Sequence, residues 1–225
     1  MRKRTVVGGR AAASPVRVLG IDPGTLRTGW GVVERRGRSL SFCAAGVLTP
    51  KGFHSLPERL RVIHAGIVEV IQAYAPHVLS LEKAFVAYNV QSALRLGEAR
   101  GVALLAAVQS GLRIAEYNPT EIKTAVAGYG RAEKTQVQKA VHALLGGGRA
   151  PEALGLPSSM DATDALAAAI CHLQSSSLSG QLRELAGSGK RTLHGLHSRP
   201  RSLRNVLPRK TVEELLAATQ RRNKV

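Results

Sequence analysis

Three strand-like runs follow one another between Val16 and Leu48 with no helix-length segment between them, which restricts the kind of sheet this chain can build. Val16–Asp22 (VRVLGID) is apolar, β-branched and stopped by Pro23-Gly24, the pattern of a buried strand. Trp30–Glu34 and Leu40–Leu48 follow, with Arg36-Gly37-Arg38 as the turn between them. Beyond Leu48 the period changes. Leu56, Leu60, Ile63, Ile67, Val70 and Ile71 recur at helical spacing within 55–74, and Pro76 ends that helix. Val78–Glu82 (VLSLE) reads as a fourth strand, Asn89–Ser110 as a long Ala/Leu-rich helix, and Arg113–Tyr117 as a fifth strand closed by Asn118-Pro119. Helices over 120–127 and 133–145, a flexible link at Gly146–Gly148 and a last helix from Met160 to about Leu173 complete the pattern. A three-strand meander followed by helical crossovers predicts an α/β fold, a five-stranded mixed sheet flanked by helices.

Charge separates this body from its ends. The 225 residues carry 32 Lys+Arg against 15 Asp+Glu, a net +17, so a polyanionic partner is the first expectation. Residues 1–14 hold net +4, residues 15–175 net +5 and residues 176–225 net +8. The segment from 176 turns to Ser, Gly and Arg and lacks an apolar period that builds a core. The expected organisation is a basic flexible leader at 1–15, one domain at 16–175, and a basic, mostly disordered tail at 176–225. Within the tail, Thr211-x-x-Glu214 is a capping box that opens a short helix at 211–220. A hydrophobic content of 44% excludes a wholly disordered nucleic-acid coat. No uncharged apolar run reaches the 18 or so residues of a membrane span. Arg10 breaks the apolar stretch that a signal peptide would need. Cys43 and Cys171 lie far apart without metal-ligand spacing, which fits a reducing cytoplasm.

The carboxylates carry the chemistry. The chain has three aspartates, Asp22, Asp161 and Asp164. Asp22 ends the first strand and Glu82 ends the fourth, both at the carboxyl edge where open α/β sheets bind ligands. Asp161 and Asp164 stand at i and i+3 in the first turn of the last helix, with Cβ atoms roughly 5–6 Å apart. If that helix start abuts the sheet rim, four carboxylates converge. Such a cluster repels itself unless cations neutralise it, and an all-oxygen site suits Mg²⁺ or Mn²⁺. Two such ions about 4 Å apart are the usual apparatus for in-line attack of water on a phosphodiester.

Each position alone also has a simpler reading. Asp161 and Asp164 can complement the helix dipole with Ser158 as cap. Asp22-Pro-Gly can be an ordinary turn, and Glu82 can pair with Lys83 or an arginine. Joint placement at two strand ends and a helix start, in a basic chain, favours the catalytic reading. Residues 187–192 mimic a phosphate loop, but Glu184 and Arg191 occupy positions that require Gly and Ser/Thr. His194-x-x-His197 lies in the tail and is read as incidental.

The segments GIDPGTLRTGWGVV (20–33), LEKAFVAYNVQSALRLGEARGV (81–102), EYNPTEIKTAVAGYGRAEKTQVQ (116–138) and DATDALAAAICH (161–172) resemble, in order, the RuvC family of Holliday-junction resolvases. The resemblance covers about 16–175. It implies a ribonuclease H-like fold, a homodimer, and Mg²⁺-dependent symmetric nicking of four-way junction DNA, with two ions per active site and Mn²⁺ as a substitute. It assigns Asp22, Glu82, Asp161 and Asp164 as the catalytic, metal-binding carboxylates. Phe85 matches an aromatic that stacks on an unpaired base, and Lys123 and Lys134 match basic DNA-binding positions near the scissile phosphate. Tyr88 stands where family members can carry a basic residue. It further implies the junction-binding and branch-migration helicase proteins as partners, while the cysteine usage and the lack of a membrane-span run give the expectation of a cytoplasmic protein without a membrane partner. The alternative from another class is a non-catalytic basic module that binds branched DNA and recruits partners; divalent-metal dependence of nicking separates the two. The leader and tail lie outside the resemblance.

Overall fold

Parity along three strands sorts the core. In the computed structural model, which describes residues 14–53, 55–83 and 90–188 and side chains as far as 176, β1 (Val16–Asp22) lies between β2 (Thr28–Arg36) and β4 (Val78–Glu82). With β3 (Ser39–Leu48) and β5 (Arg113–Tyr117) the sheet order is β3-β2-β1-β4-β5. The β1–β2 and β2–β3 pairs are antiparallel, and β1–β4 and β4–β5 are parallel. This is the mixed five-stranded sheet that the meander and its crossovers predict.

Successive side chains leave a strand on opposite faces. Leu19, Ile21, Val32, Leu79 and Leu81 pack with α1 (Leu56–Tyr74) and α2 (Val90–Gln109) through Ile63, Ile67 and Ala103. Val18, Val33 and Val78 pack on the other side with α3 (Pro119–Ala127), α4 (Lys134–Gly146) and α5 (Met160–Ser188), through Ile122, Val137 and Leu166. Both faces are covered, so β1 and β4 read as near-continuous apolar runs.

Several boundaries differ from the sequence expectation. β2 begins at Thr28 and continues to Arg36, because Gly37 at φ 60° makes the hairpin turn tight enough for pairing to reach Arg36↔Ser39. Gly146–Gly148 is no slack link: Gly147 caps α4 in the left-handed region, and a 3-10 turn follows at Pro151–Leu154. α5 runs to Ser188, well past Leu173 and past the expected domain boundary at 175. A helix already nucleated by packing over 160–173 propagates cheaply through good helix formers such as Gln181, Leu182, Arg183 and Glu184, without an apolar period of its own. The leader up to residue 13, Phe85, Tyr88 and the capped segment 211–220 lie outside the described residues. Among the described residues, no helix is long and apolar enough to cross a membrane.

Candidate active site

The same parity aims the two strand-end carboxylates. Val18, Gly20 and Asp22 alternate onto the α5 side of β1, and Val78, Ser80 and Glu82 onto the α5 side of β4. The register places Ile21 opposite Leu81, so Asp22 and Glu82 leave neighbouring parallel strands at the same rim and on the same face.

Close packing brings α5 to that rim. A Cβ at Gly20 would run into the Ala165 carbonyl, and one at Gly29 into the Asp161 carbonyl, so only glycine lets the helix lie this near the sheet. The fully buried Ser80 hydroxyl donates to the Ala168 carbonyl at 2.7 Å, tying β4 to α5. These contacts present Asp161 and Asp164 in the first turn of α5 to the ends of β1 and β4.

A cleft of about 430 Å³ opens there, lined among others by Asp22, Glu82, Asp164, Lys123, Lys134 and Arg100. Burial, with the negative charges of Asp164, Asp161 and Glu82, pushes the Asp22 carboxyl up to about 7, against a smaller opposing pull from Lys134. Burial and Asp164 likewise raise Glu82, while Lys123 and Lys134 counter the shift. The four carboxylates and both lysines that the sequence singles out therefore share one electrostatic environment. Phe85 is the one candidate that falls outside the described residues.

Two of the carboxylates are already held by cations. Lys134 Nζ lies 3.3 Å from Asp164 Oδ2, and that negative charge raises the lysine. Its position at the start of α4 is fixed by the Gln136 side chain, which accepts from the Glu133 amide at 2.8 Å. Asp161 turns toward Arg27, whose Nε donates to Oδ2 at 2.6 Å, and it does not line the cleft. Accordingly, among the described residues no group of three His, Cys, Asp or Glu is preassembled to hold a metal ion. The donor set nonetheless fits a hard divalent cation: all donors are carboxylate oxygens, and burial together with their mutual repulsion raises Asp22 to about 7, the cost of gathering negative charge that a cation would relieve.

Sequence reasoning missed two arginines. Arg27 lies in the loop between β1 and β2 and meets α5 across 134 positions. Arg100 on α2 donates to the Glu82 carbonyl at 2.8 Å and pairs with Glu116 of β5, bracing the strand end that carries Glu82. Both sit inside matching segments, and no local pattern distinguishes them from surface arginines.

Comparison with known proteins gives a consistent result. Residues 18–172 match the family model described as crossover junction endodeoxyribonuclease RuvC. A protein of that name from Magnetococcus marinus is 47% identical over 163 residues, 72% of this chain and 87% of the relative. One from Cupriavidus metallidurans is 46% identical over 184 residues, 80% of this chain and 98% of the relative. Among solved structures, Thermus thermophilus RuvC in complex with Holliday junction substrate is similar at a TM-score of 0.66 and 30% identity, covering 73% of this chain and 96% of that one. The fold is the ribonuclease H-like fold of these resolvases.

Proposed function

The chain belongs to the RuvC family of crossover junction endodeoxyribonucleases, and from that premise we propose that it resolves four-way DNA junctions by symmetric nicking through Asp22, Glu82, Asp161 and Asp164. The observation that carries this reading is the convergence of Asp22, Glu82 and Asp164 with Lys123 and Lys134 on one cleft at the sheet rim, where burial and the neighbouring carboxylates raise Asp22. Four acidic groups gathered in a chain of net +17 have no evident structural benefit and a clear use once a cation joins them.

These residues would hold Mg²⁺, two ions per site in our reading, with Mn²⁺ able to substitute. Held there, such ions would lower the pKa of an attacking water and neutralise charge at the phosphate. The protein's own part is geometric and electrostatic. Asp22 and Glu82 are fixed by strand register and Asp164 by the packing of α5, so the ligating oxygens move little as charge develops. Lys123 and Lys134, which line the same cleft, place positive charge where the scissile phosphate enters. Phe85, three residues after Glu82, is proposed to stack on an unpaired base at the opened junction centre.

A homodimer completes the reading, because two symmetric nicks need two sites related by a two-fold axis. α2 offers the surface. Its buried residues are alanines facing the sheet, whereas Val90, Leu94, Leu105 and Val108 are exposed at 51–72%, and a Cβ at Gly97 or Gly101 would meet open space. The proposed partners beyond the second copy are helicase proteins that bind and migrate junctions, and the proposed location is the cytoplasm.

The experiment is incubation of the purified protein with end-labelled four-way junctions and duplex controls, with and without Mg²⁺. Paired nicks at symmetry-related strands of the junction, dependent on Mg²⁺ and absent from duplex, support the reading. Junction binding without cleavage at any Mg²⁺ concentration overturns it in favour of a recruiting module.

A further inference from the structure

Arg27 bridges two parts of the site that are distant in sequence. It closes the loop after β1, five residues beyond Asp22, and its Nε bonds Asp161 Oδ2 at 2.6 Å while Nη2 reaches the Ser159 hydroxyl at 3.5 Å. Both contacts fall at the start of α5, whereas Lys134 engages the next carboxylate along the helix, Asp164. The Arg27 side chain is 54% exposed and the Asp161 side chain 32%, so the pair stands at the water-facing edge of the site. A bidentate-capable, permanently charged donor there neutralises one carboxylate of a self-repelling group. It also engages Oδ2, one of the two oxygens through which Asp161 could ligate a cation.

Resting on the metal-dependent reading above, we propose that Arg27 is a positioning residue: a resident counter-cation that holds Asp161 out of metal ligation until a divalent ion displaces it. Asp161 then differs from Asp22 and Glu82. Those two are set by strand register and need no release, whereas Asp161 is recruited last and only against competition. The displaced guanidinium stays on an exposed loop beside the cleft, where a phosphodiester offers it a replacement anion. Substrate and metal would thereby favour each other's binding, since each removes an obstacle to the other. Lys134 stands in the same relation to Asp164, but at 3.3 Å and 72% exposure it is the looser of the two.

The test is isothermal titration of Mg²⁺ alone into the full-length protein without DNA, comparing wild type with Arg27→Gln and Arg27→Lys. Arg27 is exposed and makes no contact in the core, so thermal unfolding should confirm that both variants fold. An exposed pair contributes little, so Arg27→Gln should bind Mg²⁺ about two- to fivefold tighter than wild type. Arg27→Lys keeps the charge but not the planar Nε donor, and should fall between the two. Equal or weaker Mg²⁺ affinity in Arg27→Gln overturns the inference. Glu82→Gln serves as the companion measurement. If wild type takes up Mg²⁺ and Glu82→Gln takes up less, the carboxylate reading stands whatever Arg27 does; if neither takes up Mg²⁺, that reading fails and this inference with it.

Discussion

The Ser80 hydroxyl donates to the Ala168 carbonyl at 2.7 Å across a fully buried interface, and this bond holds the strand that ends in Glu82 against the helix that carries Asp164. Ser80 is two residues before Glu82 and on the same face. Removing the hydroxyl loses one buried hydrogen bond, about 1 kcal/mol. Ser80→Ala should lower the unfolding free energy by that amount, and should slow junction nicking by more than the stability loss explains, because Glu82 and Asp164 lose their common tether. Equilibrium unfolding and single-turnover nicking of the same preparation check it.

Gly20 is the counterpart on β1, two residues before Asp22. A methyl group at Gly20 meets the Ala165 backbone, which cannot step aside as a side-chain tip can. Gly20→Ala should therefore destabilise the protein by about 1–3 kcal/mol through overpacking, and shift α5 away from the rim. Gly101→Ala, in the interior of α2 where a Cβ finds open space, should have the opposite sign and hold or slightly raise the melting temperature of the isolated fold.

These two positions show what was legible in the sequence. Val78–Glu82 and Arg113–Tyr117 have the bounds that composition and Pro/Asn punctuation predict, and Asp22 and Glu82 do end their strands at one rim. Such features are local, written in runs of five to seven residues. The approach of α5 to the rim is not local. It depends on Gly20 and Gly29 meeting the α5 backbone and on Ser80 bonding across 88 positions, and a glycine in a strand looks the same whether a helix lies over it or not. Arg27 was missed for that reason, since its partner is 134 positions away. The length of α5 is hidden for another reason: a helix that extends from an end already packed needs no core-forming period of its own.

The raised Asp22 carboxyl makes stability depend on pH in a definite direction. A carboxyl near 7 in the folded state and near 3.8 when unfolded binds more protons when folded. Its contribution is fully present below pH 4 and is lost as pH rises through 7. The metal-free protein should lose on the order of 2–4 kcal/mol from this group between pH 4 and pH 8. Asp22→Asn should flatten that slope and stabilise the metal-free protein at pH 8. Added Mg²⁺ should raise the melting temperature more at pH 8 than at pH 5.5, where a proton competes for the site. Differential scanning calorimetry across the pH series reads all three.

The exposed face of α2 predicts the assembly state. Leu94→Asp combined with Leu105→Asp should convert a dimer to a monomer in sedimentation velocity at micromolar concentration, with little change in the melting of the isolated fold, because both side chains point away from the core. The monomer should nick single strands of a junction without coupling the second cut to the first.

The most direct measurement of the central claim is made on Glu82→Gln, scoring binding and cleavage of the same labelled four-way junction in Mg²⁺. The substitution keeps the size and shape of the side chain, trades one acceptor oxygen for an NH2 donor, and removes one negative charge from the cleft. Junction affinity should equal or exceed that of wild type while nicking falls at least a thousandfold, the cost of losing about 4 kcal/mol of transition-state stabilisation. Binding and nicking that decline together would assign Glu82 a role in folding, and nicking that persists near the wild-type rate would remove the carboxylate cluster from the chemistry.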